Sequence, residues 1–131
     1  MILVDTGYFL ALADPRDQHH ARAAAWSKTV RETLAVTEYV LVEIVNGMSY
    51  PRARDPAHDI VQAVRLKRQF TYLPASAELL EAGLDLHRRS HDKEWSLTDC
   101  ISFHVMRERG ITRALAYDHH FAQAGFEPLL R

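Results

Sequence analysis

Short apolar runs that alternate with longer amphipathic segments are the feature that most constrains the fold of this chain. The apolar runs lie at residues 2–4, 34–36, 71–73 and 114–117, with a last one near Phe126. Buried strands separated by helices are typical of a parallel sheet whose crossover helices cover both of its faces. The sequence therefore predicts an α/β sandwich.

The segments between these runs carry signals for the start and end of helices. Thr37, Ser76 and Ser96 are residues that commonly cap helix N-termini, and Gly110 suits a helix exit. Ser96-Leu97-Thr98-Asp99 has the spacing of a capping box, so the helix that follows Ser96 is the clearest of the chain. The predicted helices span residues 8–13, 17–30 (capped by Asp17), 38–49, 55–70 (with Leu66 facing inward), 76–90 (with Leu80 and Leu84 facing inward) and 96–109, with a short turn around Phe121.

Length and composition indicate one globular unit, which we assign to residues 1–131. The chain has 131 residues, of which 47% are hydrophobic and 25% charged, close to the averages for globular proteins. No apolar run approaches the roughly 20 residues that cross a bilayer, and the first residues lack a basic leader, so we expect a cytoplasmic protein without a membrane anchor. The single cysteine, Cys100, is predicted to be a buried, inert thiol.

Four acidic residues are singled out by their position relative to the predicted strands. Asp5 and Asp118 follow strands directly. Glu43 lies about one and a half turns into its helix and Asp99 in the first turn of another, so both could lean over the same edge of the sheet. Ligands of open α/β sheets bind at the carboxyl ends of the strands. Acids gathered there repel one another unless protons or a metal neutralise them, and oxygen-only ligation suits Mg²⁺ or Mn²⁺. The pattern predicts a divalent-cation site.

Each acid also has a purely structural interpretation. Asp99 can stabilise the N-terminus of its helix through the helix dipole, and Glu43 can lie on the solvated face of an amphipathic helix. Asp5 and Asp118 can cap the turns that follow their strands. The net charge of −1 is not the basic balance typical of nucleic-acid binders, so any RNA would have to be bound through local cationic groups and bound cations.

The order of these acids resembles that of the PIN-domain nucleases, and within them the VapC-type toxins of toxin–antitoxin pairs. Asp5-Thr6-Gly7 resembles the first acidic motif of that family, and Glu43 resembles the second. Ser96-Leu97-Thr98-Asp99 is similar to the third motif, and Asp118-His119-His120-Phe121 to the fourth. The resemblance covers nearly the whole chain and implies a PIN-like three-layer α/β/α sandwich with a short parallel central sheet.

The same resemblance implies a function and a set of site residues. It implies a Mg²⁺- or Mn²⁺-dependent endoribonuclease that acts on tRNA, rRNA or mRNA, forms a homodimer and is inhibited by a cognate antitoxin. It makes Asp5, Glu43, Asp99 and Asp118 the catalytic and metal-binding residues, with Thr6 and Ser96 beside them and Thr6 supporting Asp5 through a hydrogen bond. One departure is Ala116, where the family often has a hydroxyl side chain.

Three alternatives stay open on the sequence. The chain could be a catalytically weak PIN-fold protein that binds RNA or acts as a scaffold, or a phosphohydrolase that acts on small phosphoesters. The sequence does not support the phosphohydrolase through a phospho-aspartate mechanism, because the required Asp-x-Asp pair is missing: position 7, two residues after Asp5, is Gly. The pair His119-His120 suggests zinc, but adjacent helical side chains should point apart, so we expect solvated histidines or contacts to neighbouring acids.

Overall fold

Five parallel strands form the centre of the computed structural model, which describes all 131 residues. Each strand is only two to four residues long. The sheet order is β3-β2-β1-β4-β5, and every neighbouring pair is parallel. The strands are β1 (Ile2–Val4), β2 (Leu34–Thr37), β3 (Phe70–Leu73), β4 (Arg113–Leu115) and β5 (Glu127–Pro128).

Helices connect the strands and cover both faces of the sheet, which confirms the predicted α/β/α sandwich. No helix is both long enough and apolar enough to cross a membrane. The helices are α1 (Thr6–Ala13), α2 (His20–Thr29), α3 (Glu38–Gly47), α4 (Arg54–Leu66), α5 (Ala77–Arg89), α6 (Leu97–Arg109) and α7 (His119–Gln123), with a short 3-10 turn at Pro51–Ala53.

The side chains of β1 point alternately to the two faces of the sheet and so contribute to two separate apolar clusters. Ile2 and Val4 pack on one side with residues of α1, α3 and α4, whereas Leu3 packs on the other with residues of α6 and α7. All three side chains are fully buried, because successive side chains of a strand point to opposite faces. The central strand is therefore apolar throughout, and its first polar residue, Asp5, emerges at the edge.

The direction of chain winding reverses at β1. β2 and β3 lie on one side of it, and β4 and β5 on the other. In such sheets a crevice opens at the carboxyl ends of the two strands where the winding reverses. The segments that follow β1 and β4 meet at this crevice.

Several boundaries differ from the sequence predictions. Asp17 does not cap α2; its Oδ1 accepts the backbone N–H of His19 at 2.8 Å, in a turn that precedes the helix. The helix α4 ends at Leu66, which is 75% exposed, because Phe70 pairs with β2 as the first residue of β3. Strand β4 ends at Leu115, so Asp118 does not directly follow it.

The inward face of α5 is narrower than predicted. Leu80 and Leu84 are 37% and 42% exposed, whereas Gly83 and Leu86 are buried. A Cβ atom on Gly83 would lie 2.3 Å from Cγ1 of Ile101 in α6. The two helices approach each other at this glycine, and this approach turns the outer leucines of α5 towards solvent.

Candidate metal centre

Asp5 lies where β1 ends and α1 begins. Its backbone is extended and its side chain does not cap α1. The pKa of its carboxyl is raised from 3.8 to about 7, first by burial and then by the negative charge of Asp99, with smaller effects from Glu43 and Asp118. The acids predicted from different parts of the sequence are thus brought around Asp5.

Glu43 reaches this group from α3, which packs against α1. Its Oε1 accepts a hydrogen bond of 2.6 Å from the Thr6 hydroxyl. The family resemblance implied that this hydroxyl bonds to Asp5, but in the structure it donates to Glu43, because Thr6 is the first residue of α1 and faces α3. Glu43 is half-buried, so it does not lie on a fully solvated helix face.

Asp99 combines the structural and the site interpretations. Its backbone N–H donates to Oγ of Ser96 at 3.0 Å, and its Oδ2 accepts the Ser96 N–H at 3.1 Å, which completes the predicted capping box. The residue is 8% exposed, and burial raises the pKa of its carboxyl. Its Oδ1 is not used by the capping box, so the same side chain can cap α6 and contribute an oxygen to the crevice.

Asp118 begins α7 and gathers the two histidines that follow it. Its Oδ1 accepts the backbone N–H of His120 at 3.0 Å and lies 3.3 Å from Nδ1 of both His119 and His120. The rings are only 4.6 Å apart between centroids, so the expectation that they point apart is wrong. The start of a helix, unlike its interior, allows both side chains to fold back on the capping acid.

His120 is a site residue whose role the sequence left open. Its Nδ1 lies 3.0 Å from Oδ2 of Asp99 as well as 3.3 Å from Oδ1 of Asp118, and its ring is largely buried. The imidazole therefore bridges two of the acids. The signals for this in the sequence are its position two residues after Asp118 and the frequent His at this place in the family that the motif resembles. Neither signal identifies a contact to Asp99 in another helix.

Ala116 lies outside this group. It is fully buried and packs in the apolar cluster that contains Leu3. The lack of a hydroxyl at this position is thus accommodated by apolar packing, while the acids keep the contacts described above.

The charge balance of the site fits a divalent cation. No Lys or Arg forms an ion pair with any of the four acids; their only basic contacts are the two histidines. The acids therefore lack compensating positive charge, and burial together with their mutual repulsion raises the pKa of Asp5. Hard carboxylate oxygens without such compensation are the donor set that Mg²⁺ or Mn²⁺ prefers.

Comparison with known proteins identifies the family of this chain. The PIN domain family model matches residues 2–127. The 23S rRNA-specific endonuclease VapC20 of Mycobacterium tuberculosis is 32% identical over 129 residues, covering 96% of this chain and 95% of its own length. The protein therefore belongs to the PIN-domain family. Within that family it is a relative of the VapC-type toxins.

Two crystal structures share the fold. One is that of VapC20 from Mycobacterium tuberculosis, described as a sarcin–ricin loop cleaving toxin, with a TM-score of 0.88 and 28% identity, covering 96% of both chains. The other is FitAcB from Neisseria gonorrhoeae, with a TM-score of 0.67 and 17% identity, covering 98% of this chain and 95% of that chain. The second comparison concerns the fold alone.

Proposed function

We propose that this protein is a Mg²⁺- or Mn²⁺-dependent endoribonuclease that acts as the toxin of a toxin–antitoxin pair. The observation that carries the proposal is the convergence of Glu43, Asp99 and Asp118 around Asp5 without any Lys or Arg partner. Burial, and after it the charges of these acids, raise the pKa of Asp5 to about 7. An unbalanced carboxylate cluster at the crevice of an α/β sheet is suited to phosphodiester hydrolysis with a bound cation.

The protein residues have separate tasks in this proposal. Asp5, Glu43, Asp99 and Asp118 hold the cation, Thr6 orients Glu43, and His120 orients Asp99 and Asp118. Ser96 fixes the position of Asp99 through the capping box. When bound, the divalent cation supplies Lewis-acid activation of water and of the phosphoryl group.

We further propose that the substrate is 23S rRNA at or near the sarcin–ricin loop. The support is the similarity to VapC20 over nearly the full length of both chains, because that relative is named as a 23S rRNA-specific endonuclease. A ribosomal substrate implies action in the cytoplasm. A homodimer and inhibition by a cognate antitoxin, which presents a cationic side chain to the acids, belong to the same proposal.

Cleavage of a labelled sarcin–ricin loop hairpin and of intact ribosomes tests the proposal. We expect one principal cut in Mg²⁺ or Mn²⁺, none in excess EDTA and none with Asp5→Asn. Asp59→Asn is a matched control, because Asp59 is exposed on α4 and forms no ion pair. Full cleavage in EDTA would contradict the metal requirement, whereas RNA binding without any cleavage would favour the catalytically weak RNA-binding alternative.

A further inference from the structure

A groove of about 760 Å³ opens beside the acidic site, between the start of α2 and the segment that follows β4. Its lining includes His19, Arg22, Tyr117 and Arg131. Its volume lies in the range of about 300 to 1,000 Å³ that is typical of ligand sites. None of the four acids lines this groove, so its polar groups are additional to the candidate metal centre.

Two aromatic rings form one wall of the groove. The His19 and Tyr117 rings are stacked, with centroids 3.8 Å apart and an angle of 10° between their planes. The backbone of His19 is fixed by Asp17, whose Oδ1 accepts its N–H at 2.8 Å. The stack is therefore present without a ligand. Both rings are only half-buried, which leaves the stack partly open to the groove.

The stack is tied to the acidic motifs on either side of the crevice. Tyr117 directly precedes Asp118, and its ring contacts Gly7, two residues after Asp5. A Cβ atom on Gly7 would lie 2.6 Å from Cε1 of Tyr117, closer than such atoms approach. The glycine of the first acidic motif thus lets the tyrosine ring lie against the backbone next to the acids.

Unpaired cations lie along the same groove. Arg22 and Arg131 are exposed, and neither forms an ion pair within the protein. Asp17, two residues before His19, already accepts a backbone hydrogen bond. Single-stranded nucleic acids are commonly bound where cationic side chains follow the phosphates and flat rings stack on the bases.

We propose that this groove binds an unpaired nucleotide of the RNA adjacent to the cleaved bond. The base stacks on the His19–Tyr117 pair, and Arg22 neutralises a neighbouring phosphate while the scissile phosphate lies at the acids. This inference rests on the proposed endoribonuclease function and adds to it a subsite for the base next to the cleaved bond. It also identifies His19 and Arg22 as binding residues outside the acidic motifs.

Binding of a short fluorescent single-stranded RNA in EDTA, where cleavage is suppressed, measures the groove without the metal. Loss of one stacked base weakens binding by about 5- to 150-fold. We expect His19→Ala to weaken binding within that range, and His19→Phe, which keeps a flat ring, to retain binding near that of the wild type. Circular dichroism confirms that each variant is folded.

The salt dependence of RNA binding tests the role of the Arg22 charge separately. Each phosphate contact to single-stranded RNA changes the slope of log Kd against log salt concentration by about 0.7. We expect Arg22→Ala to reduce the slope by this amount. Arg31→Ala, which removes an exposed arginine near Thr33 at the opposite edge of the sheet, should leave it unchanged.

A scan in which each base of the RNA is replaced by an abasic site locates the stacked nucleotide. One abasic position should weaken binding to the wild type but cause no further loss in His19→Ala. If His19→Ala and Arg22→Ala both bind like the wild type, the inference is overturned even where the wild type cleaves RNA in Mg²⁺. If no RNA is cleaved while these binding effects are observed, the proposed nuclease function fails and the groove assignment stands.

Discussion

The Thr6 hydroxyl donates a 2.6 Å hydrogen bond to Oε1 of Glu43, 37 residues further along the chain. The bond joins the first turn of α1 to the second turn of α3 at the crevice of the sheet. Glu43 is thereby held near Asp5, whose pKa it helps to raise. A residue of α1 therefore positions the side chain of a residue of α3.

Thr6→Val tests the contribution of this hydrogen bond. Valine has nearly the same shape but cannot donate, so Glu43 loses its orienting partner and apparent Mg²⁺ affinity should fall by about 10- to 100-fold. Thr6→Ser keeps a hydroxyl and should lie close to the wild type. Titrating RNA cleavage against Mg²⁺ gives the comparison. Thr29→Val, in which an exposed helical hydroxyl is removed, controls for the substitution itself.

The pKa of Asp5 predicts a pH dependence of the metal-free protein. A carboxyl whose pKa rises on folding from 3.8 to about 7 contributes stability that is complete below 3.8 and is lost as pH rises through about 7. The loss amounts to at most about 4 kcal/mol. Asp5→Asn should abolish this dependence and exceed the wild type in stability at pH 8.

Thermal unfolding of both proteins in EDTA across this pH range measures the effect. Adding Mg²⁺ should stabilise the wild type most at the higher pH, because protons compete with the metal for Asp5. If the melting temperatures of the wild type and of Asp5→Asn differ by the same amount at every pH, the Asp5 carboxyl does not titrate in this interval.

Ser96 and Asp99 allow capping to be separated from catalysis. Ser96→Ala removes the acceptor for the Asp99 N–H and should cost about 1 kcal/mol of stability. Most cleavage should be retained, because the backbone N–H of residue 96 still donates to Oδ2 of Asp99 and holds its carboxylate. Asp99→Asn keeps an oxygen that can accept the Ser96 N–H, but it removes one negative charge, so it should retain the metal-free stability and lose most activity. An Asp99→Asn variant that is active but less stable would assign Asp99 to helix capping alone.

His120 should matter through the acids that it contacts. His120→Ala removes the group that lies within 3.3 Å of both Asp99 and Asp118, and we expect Mg²⁺ affinity to fall by about 10- to 100-fold. His104→Ala provides the comparison, because His104 is a half-buried histidine paired with Glu108 elsewhere on α6. Equal Mg²⁺ affinities of the two variants would remove His120 from the site.

Local chemistry made several elements predictable from the sequence. Three consecutive apolar residues fixed β1, and a hydroxyl or capping-box residue fixed the start of α3, α5 and α6 at Thr37, Ser76 and Ser96. Gly110 adopts a left-handed conformation with φ of 66°, as expected at a helix exit. These signals depend on neighbouring residues only, so the sequence contains them in full.

Other boundaries depended on partners distant in the chain. Phe70 extends a helical pattern in the sequence, but pairing with Leu34 of β2 makes it the start of β3. Leu80 and Leu84 match an apolar helix face, yet the approach of Gly83 to Ile101 decides which side of α5 is buried. Helix propensity and the spacing of apolar residues favour an element less strongly than such tertiary packing does, so the packing decides the boundary.

For the candidate site, the sequence by itself determined which acids belong to it. Each of the four follows a strand or lies early in a helix before or after one, and the carboxyl ends of parallel strands meet at one edge of the sheet. Only the tertiary structure decided how they are held. The hydroxyl of Thr6 turns to Glu43 instead of Asp5, and His120 bridges Asp99 and Asp118. The physical reason is that a hydrogen bond joins atoms that are close in space, and the packing of α1 on α3 and of α7 beside α6 sets those distances.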